Sequence, residues 1–315
     1  MSDTIVVPSS TQTIGRPERG DYGACADHRR NGPGGECLLG RLSDADVALR
    51  VLSHDESKAQ SLRNRGVEVI QGDFLKPETL GPALDQVTAV FLATPIHPEQ
   101  ITQASNVIQA ARNSGTAPRI VRLSVHQASH QAPTRNSRQH AVIEDALASS
   151  GLPYTLLRPQ SFMQNTLMAA STVATQGKIY QPMKDGRLGM IDARDIAAVA
   201  ARVLTEEGHD GKTHTLTGPA AISFHDVARI LSGILGREVS YVNVSLEKAK
   251  ETLLVRGLSE WMADTLTEYA NAHSAGYSDW TTDAVERLTD HPATPYQQFA
   301  KDFAMVFRGD RPPTK

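Results

Sequence analysis

Short apolar segments alternate with helical patterns from residue 47 to residue 159, and this alternation constrains the fold more than any other feature. Apolar strands are predicted at 47–52, 67–70, 88–93, 119–124 and 154–159, with helices at 55–65, 77–84, 98–113 and 137–149. Strands that are apolar along their whole length are typical of a parallel sheet covered on both faces. Because crossovers between parallel strands are right-handed, the pattern predicts an α/β fold with a doubly wound parallel sheet.

Charge and composition exclude several classes of partner. The chain carries 32 Lys and Arg residues against 35 Asp and Glu residues, so its net charge gives no general attraction to nucleic acid or to a membrane surface. No apolar run approaches the ~20 residues of a membrane helix, and the N-terminus lacks the pattern of a signal peptide. No group of residues has the spacing of a metal site. We expect a cytoplasmic protein without a metal, and the oligomeric state stays open.

The predicted strands end in polar and small residues that should line one crevice, because ligands of doubly wound sheets bind outside the carboxyl ends of the strands. These residues are Pro8, Ser53, His54, Asp73, Ala93, Thr94, Pro95, Ser124 and Pro159. A glycine-rich phosphate loop is expected directly after the first strand, Ile5-Val6-Val7, but only Gly15 of its three glycines is present. Glycines at the two missing positions would allow a tight turn and a close approach of the backbone to the pyrophosphate of a dinucleotide cofactor. Their absence predicts weakened cofactor binding.

Several stretches between about residues 47 and 303 together resemble the NmrA-like family of atypical short-chain dehydrogenases. They are Gly72-Asp73-Phe74, Leu123-Ser124, His140-Ala141-Val142-Ile143-Glu144, residues 150–159, Phe162-Met163-Gln164-Asn165, residues 191–197 and Leu216-Thr217-Gly218-Pro219. The resemblance implies a Rossmann domain that binds NAD(P) and a smaller C-terminal domain that covers a substrate cleft. Some members reduce quinones or other conjugated carbonyls, and others are redox-sensing regulators that bind the cofactor without turning it over.

The resemblance also implies a domain organisation. Residues 1–159 would form the Rossmann-like domain, residues 160–307 a smaller mixed α/β region on the substrate side, and residues 308–315 a disordered tail. Residues 18–42 are predicted to be irregular, because they are rich in Gly, Arg, Asp and Asn and lack apolar periodicity where the first crossover helix belongs. An insertion and a shifted reading frame both explain such a stretch.

The resemblance assigns cofactor contacts to matching positions. The pyrophosphate would lie on Ser9, Thr11, Gln12, Thr13, Ile14 and Gly15; the remaining contacts would come from His54, Lys58, Asp73, Phe74, Ala93, Thr94, Pro95, His140 and Pro159. A basic residue after the second strand favours NADP over NAD, and His54 with Lys58 gives a weak preference of that kind. The alternative is structural: exposed polar residues on a capped helix, and a turn-capping Asp73.

Ser124, His140 and Glu144 are the candidate catalytic residues. Short-chain dehydrogenases typically use Ser, Tyr and Lys, with the tyrosine four residues before the lysine; here Asn136 and His140 have that spacing, so the tyrosine acid is missing. His140 is predicted to hold the ribose or to donate the proton, with Glu144 orienting it. The alternatives are a helix pair without chemistry and a Ser124 that serves only as a hydrogen-bonding residue.

The substrate side is predicted from loop residues. His126 lies in the loop after the fifth strand, and Phe162 and Asn165 follow the Arg158-Pro159 bend, where they would contact a flat conjugated ligand or simply join the two domains. These features predict an NAD(P)H-dependent oxidoreductase acting on a small quinone, enone or related carbonyl compound. The missing tyrosine supports a non-catalytic NAD(P)-sensing regulator as an alternative, and the altered phosphate loop supports a cofactor-free enzyme in the same crevice.

Overall fold

Two compact units make up the part of the chain that the computed structural model describes, residues 4–8, 35–44 and 47–310. Unit 1 consists of Met1–His130, Gln139–Arg158 and Ile196–His214, and unit 2 of Gln131–Arg138, Pro159–Asp195 and Thr215–Lys315. Residues 196–214, assigned from the sequence to the C-terminal region, therefore pack with unit 1. The physical reason is that the strand at their end joins the edge of the main sheet.

The main sheet has the strand order of a doubly wound fold. In chain order the strands are β1 Thr4–Pro8, β2 Arg50–Ser53, β3 Glu68–Gln71, β4 Val87–Leu92, β5 Arg119–Leu123, β6 Tyr154–Pro159, β7 Lys178–Gln181, β8 Arg187–Leu188, β9 Thr213–Leu216, β10 Ile222–Ser223 and β11 Ser240–Asn243. Within the described residues the large sheet runs β3-β2-β1-β4-β5-β6-β9. This order reverses between β1 and β4, as in Rossmann-like sheets, and confirms the predicted fold class.

The first strand runs against its neighbours. β1 pairs antiparallel with β2 and β4, with Thr4 opposite Leu52 and Pro8 opposite Val87, whereas the pairs β2–β3, β4–β5 and β5–β6 are parallel. A strand can hydrogen-bond in either direction, and the connection that follows it decides which one it takes. Three apolar residues in a row therefore predicted the strand but not its direction.

Between residues 55 and 149 the helices lie where the alternating pattern predicted them, with the helix predicted at 77–84 formed by a 3₁₀ segment and a short α-helix. In chain order the helices are α1 Gly35–Asp44, α2 Glu56–Arg63, α3 Gly81–Leu84, α4 Gln100–Asn113, α5 Arg135–Ala148, α6 Ala170–Gln176, α7 Ala193–Thr205, α8 Phe224–Leu235, α9 Leu246–Val255, α10 Glu260–Ser274, α11 Ala284–Thr289, α12 Tyr296–Asp302 and α13 Ala304–Arg308. Two 3₁₀ segments add Pro77–Thr79 and Met163–Ala169. On α4, the buried residues Ala104, Val107, Ile108 and Ala111 recur at helical spacing.

Helix α1 corrects the prediction of an irregular segment over residues 18–42. Its residues Leu38, Leu39 and Leu42 are buried, which is the spacing of one apolar helix face. This face is short, and the surrounding composition obscured it. At the other end of the chain, Arg308, predicted to belong to a disordered tail, is the last residue of α13. Residues 311–315 lie outside the described residues.

Each unit has its own hydrophobic core. The core of unit 1 includes Val90 and Leu92 of β4 and Ile120 of β5, and the near-continuous burial of β4 explains its apolar sequence. In unit 2, β7 pairs parallel with β11 and β8 pairs antiparallel with β10. The aromatic side chains of Phe299 and Phe303 pack there with their ring centroids 4.5 Å apart.

Candidate functional site

The carboxyl ends of β2, β3 and β4 lie at one edge of the sheet because these strands share one direction. His54, directly after β2, is exposed, and Asp55 begins α2 by accepting the Ser57 N–H at 2.9 Å. Asp73, after β3, is half-buried and accepts the backbone N–H of Leu75 at 2.9 Å. The exposed and half-buried side chains at this edge suit the adenosine part of a dinucleotide.

Phe74 and Gly72 are held by packing inside unit 1. The ring of Phe74 is buried in the core, and its carbonyl oxygen accepts the side-chain N–H of Asn106 at 2.8 Å. A Cβ atom at Gly72 would lie 2.6 Å from Cδ1 of Leu52. The motif Gly72-Asp73-Phe74 therefore has a structural basis of its own, and the predicted adenine contact of Phe74 stays a prediction.

The predicted phosphate loop cannot be located. Ser9, Thr11, Gln12, Thr13, Ile14 and Gly15 lie outside the described residues, as does the side chain of Lys58. Pro8, the end of β1, pairs with Val87 at the start of β4. The prediction that Pro8 shares the crevice with the other strand ends is therefore wrong, because the reversed β1 ends at the opposite edge. The described residues after β2, β3 and β4 fit the two nucleoside parts of a dinucleotide. β1, however, does not lead the chain toward the place where the pyrophosphate that joins those two parts would lie.

A fully buried arginine, to which no sequence motif pointed, lies at the centre of the site. Arg122 of β5 donates to the carbonyl oxygen of Leu92 at 2.9 Å and to Oγ1 of Thr94 at 2.8 Å, and its side chain is 0% exposed. Burial lowers the pKa of Arg122 to about 9, and the charge of Glu144 opposes this shift. The guanidinium thus ties the segment 93–95, the predicted nicotinamide-ribose contact, to the end of β4. Its only sequence signal is an arginine inside an apolar strand.

His140 lies against Arg122 with both ring nitrogens engaged. Nδ1 is 3.4 Å from a guanidinium nitrogen of Arg122, and Nε2 is 3.3 Å from the side-chain amide of Gln100. Because arginine only donates, Nδ1 accepts and the ring hydrogen sits on Nε2. The amide oxygen of Gln100, which is buried and has no other hydrogen-bond partner among the described residues, accepts that hydrogen when the amide is turned toward the ring.

His140 is therefore a neutral, internal group. Burial, followed by the charges of Arg122 and Arg158, lowers the pKa of His140 well below its usual value. A neutral imidazole enclosed in this way is unsuited to donating a proton to a ligand. The structure thus gives His140 a different role from the predicted proton donor: it supports Arg122 and Gln100 beneath the segment that follows β4.

Ser124 and Glu144 form a second buried group. Ser124 Oγ donates to Glu144, and Arg158 binds the same carboxylate through Nε at 3.0 Å and through a second guanidinium nitrogen. Glu144 and Ser124 are both buried, and the backbone N–H of Ser124 donates to Leu157 at 2.7 Å. The recorded bonds of Glu144 run to Ser124 and Arg158, so the predicted orientation of His140 by Glu144 is not what this carboxylate does.

The predicted substrate residues differ in exposure. His126 in unit 1 is buried at 1% exposure. In unit 2, Phe162 is half-buried and pairs with Ile191 in an isolated bridge, and the exposed Asn165 donates to Ser161 Oγ at 3.4 Å. Pro159 is the buried last residue of β6. Their contacts with a substrate or cofactor stay predictions.

The depressed pKa of His140 predicts acid sensitivity. The unfolded chain binds a proton on this ring below pH ~6.5, whereas the folded chain does so only at a lower pH, so stability is lost as the pH falls through that window. Each pH unit costs about 1.4 kcal/mol. Urea unfolding of wild type and His140→Gln between pH 7.5 and 5 should show a flatter profile for the variant. An exposed control, His54→Gln, should keep the wild-type slope, and equal slopes for wild type and His140→Gln would contradict the assignment.

None of the helices in residues 35–44 and 47–310 combines the length and apolar character needed to cross a membrane. The same residues contain no group of three or more His, Cys, Asp or Glu side chains placed to hold a metal ion.

The strand order, the parallel strands β2 to β6 and the polar cluster at their carboxyl ends define a doubly wound α/β protein of the dinucleotide-binding type. Comparison with known proteins places it more closely. The chain belongs to the NmrA-like family, whose family model matches residues 31–292.

Relatives of known activity agree with this placement. An NAD(P)H azoreductase of Xenophilus azovorans is 35% identical over 266 residues, covering 84% of this chain and 93% of the relative. The structure of an NADPH-dependent quinone oxidoreductase of Escherichia coli complexed with NADPH has a TM-score of 0.79 and 28% identity, covering 90% of this chain and 98% of that one. A Citrobacter sp. triphenylmethane reductase complexed with NADP(H) has a TM-score of 0.77 and 28% identity, covering 85% and 95%.

Proposed function

We propose that this protein is an NAD(P)H-dependent oxidoreductase that reduces small quinones, enones or related conjugated carbonyl compounds. The observation that carries the proposal is its similarity, over most of both chains, to an NAD(P)H azoreductase and to a quinone oxidoreductase solved with NADPH. The exposed His54 after β2 and the half-buried segment 93–95 after β4 support it, because they follow strands of one direction at one edge of the sheet. A cofactor preference for NADP over NAD rests on His54 and Lys58.

The chain's own residues would position and enclose the reacting groups. When bound, the reduced nicotinamide supplies the hydride. Arg122 holds Thr94 and the segment around it. The neutral His140 contacts the guanidinium, and Gln100 in turn contacts His140. Ser124, tied to Glu144, closes the end of β5. A positive charge held in a dry interior also favours negative charge that develops on a nearby substrate.

The direction of β1 favours a second candidate, a protein that holds the nucleotide weakly or not at all. A phosphate loop at the carboxyl edge contributes backbone N–H donors to the pyrophosphate, and β1 ends at the other edge. A non-catalytic NAD(P)-sensing regulator or a cofactor-free enzyme would be compatible with the loss of these phosphate-binding donors. Binding and turnover separate these cases.

Titration with NADPH and NADH, followed by an assay for oxidation of the nucleotide by a quinone, tests the proposal. We expect NADPH to bind in the micromolar range, equivalent to about −6 to −8 kcal/mol, and to be oxidised in proportion to the quinone reduced. Binding without oxidation, across quinones, enones and an azo dye, would support the regulator. The absence of binding at millimolar nucleotide would rule out the redox function, and conversion of a substrate without nucleotide would establish the cofactor-free enzyme.

A further inference from the structure

The loop between β4 and α4, residues 93–99, is fastened inside unit 1 at both of its ends. Arg122 of β5 holds the inner end, as described above. At the outer end, the side-chain amide of Gln139 on α5 donates to the carbonyl oxygens of His97 at 3.2 Å and Pro98 at 3.0 Å. All of these residues belong to unit 1. Two side chains from different elements of one unit therefore hold the loop.

The neighbours of the Gln139 amide fix its orientation. Both partners are backbone carbonyl groups, which can only accept hydrogen bonds. The reversed amide would place its oxygen against two other oxygens, so the NH₂ group faces His97 and Pro98 with one hydrogen for each. The amide oxygen is buried and has no hydrogen-bond partner among the described residues. Since an unsatisfied buried acceptor costs free energy, the contribution of Gln139 lies in its two donors.

Two prolines limit the freedom of the chain between these fastenings. Pro95 and Pro98 fix their own φ angles and disfavour helical conformations at the residues before them, Thr94 and His97. The His97 carbonyl also accepts the backbone N–H of Gln100, the first residue of α4, at 3.1 Å. Because few rotations remain free, holding both ends of the loop largely determines where its middle lies.

We propose that Gln139 is a positioning residue for the nicotinamide half of the cofactor, an inference that rests on the function proposed above. Residues 93–95 directly follow β4, and their backbone groups are the predicted contact of the nicotinamide ribose. Gln139 acts on this contact through the backbone of His97 and Pro98, by keeping the loop in its binding conformation before the nucleotide arrives. A loop that is ordered in advance loses less conformational entropy on binding, which raises the affinity.

The adenosine half of the cofactor should not depend on Gln139. Its candidate contacts, His54 and Asp73, follow β2 and β3, and the Asp73 carboxylate accepts the backbone N–H of Leu75 in its own turn. A dinucleotide and its adenosine fragment therefore respond differently to a change at Gln139. A general weakening of the fold, by contrast, would lower the affinity for both.

Gln139→Met removes the two donors and the unsatisfied oxygen at nearly constant side-chain length. We expect the dissociation constant of NADPH to rise about tenfold. The dissociation constant of adenosine 2′,5′-bisphosphate, which carries only the adenosine half, and the melting temperature should stay near those of wild type. Gln139→Lys keeps donors at this position and should restore most of the NADPH affinity. Gln109→Met is the matched control, because the exposed Gln109 bonds Arg112 and Asn113 within α4; it should change neither constant.

Titration calorimetry of the full chain with both nucleotides gives these constants, and NADH with ADP takes their place if wild type prefers NADH. A loss of affinity that is confined to the dinucleotide and that Gln139→Lys reverses supports the inference. An unchanged dinucleotide constant in Gln139→Met, an equal loss with the adenosine fragment, or a loss that Gln139→Lys does not reverse would overturn the role of Gln139 alone. A wild type that binds neither NADPH nor NADH would overturn the proposed function, and this inference with it.

Discussion

Replacing Glu144 by alanine should lower the free energy of unfolding by about 3–5 kcal/mol, the usual loss when one partner of a buried ion pair is removed. The carboxylate is buried and accepts bonds from Ser124 and from the guanidinium of Arg158. Its charge also opposes the burial-driven fall in the pKa of Arg122 and so stabilises a second cation. Without it, Arg158 and the Ser124 hydroxyl lose their bonding partner, and Arg122 loses a nearby negative charge. Chemical denaturation monitored by circular dichroism measures the loss.

Neighbouring variants show whether the loss comes from this network. Asp145→Ala removes the next residue of α5, an exposed carboxylate that bonds His130, and should cost at most about 1 kcal/mol. Glu144→Gln keeps an acceptor oxygen and the shape of the side chain but removes the charge. Its loss of unfolding free energy should therefore lie between those of Glu144→Ala and Asp145→Ala. If Glu144→Ala were as stable as Asp145→Ala, the buried network would not exist in solution.

Arg122→Ala should destabilise the protein by a similar amount, about 3–5 kcal/mol, for a different reason. The substitution leaves a cavity beneath β4 and β5 and removes the donor from three acceptors, the Leu92 carbonyl, Thr94 Oγ1 and His140 Nδ1. Arg122→Met fills most of the cavity and ends the desolvation of a charge, so it should be less destabilising than alanine. Unfolding free energies of the two variants are the direct measurement.

The same variants report on His140 and on the cofactor. Because the charge of Arg122 contributes to the lowered pKa of His140, this pKa should rise in Arg122→Met, as measured by NMR titration of the imidazole. NADPH affinity should fall, since Thr94 loses its anchor. Arg119→Met, on the same strand, loses a peripheral pair with Asp210 and a bond to the carbonyl oxygen of Glu206, and it should change neither the pKa of His140 nor the affinity for NADPH. An Arg122→Ala protein with wild-type stability would contradict the central place of this guanidinium.

Local patterns predicted the repeating part of the fold closely. The apolar run at 88–93 became β4 at Val87–Leu92, and the helix predicted at 98–113 became α4 at Gln100–Asn113. Such elements are encoded by their own periodicity, which survives in any context that buries one face. The direction of β1 and the helix α1 were missed, since a strand's direction depends on its connection and three buried leucines are a weak periodic signal.

The candidate site was only partly accessible from sequence. Motif and spacing pointed to Ser124, His140 and Glu144. The structure brings them near one another through Arg122 and Arg158, which no motif marked as catalytic. Partners of this kind lie far apart along the chain: His97 and Gln139 are separated by 42 positions. Neither propensity nor spacing predicts which of many distant side chains will meet.

Local periodicity and short motifs in a fixed order were sufficient to predict a doubly wound α/β chain of the NmrA-like type. The ionisation and the hydrogen-bond partners of the site residues, by contrast, follow from three-dimensional packing. His140 is neutral because it is buried beside Arg122 and not because of its neighbours in sequence, and Gln139 meets the His97 carbonyl because α5 lies beside the loop that follows β4. Ionisation and hydrogen-bond partnership depend on burial and on distances in space, which a linear pattern does not contain.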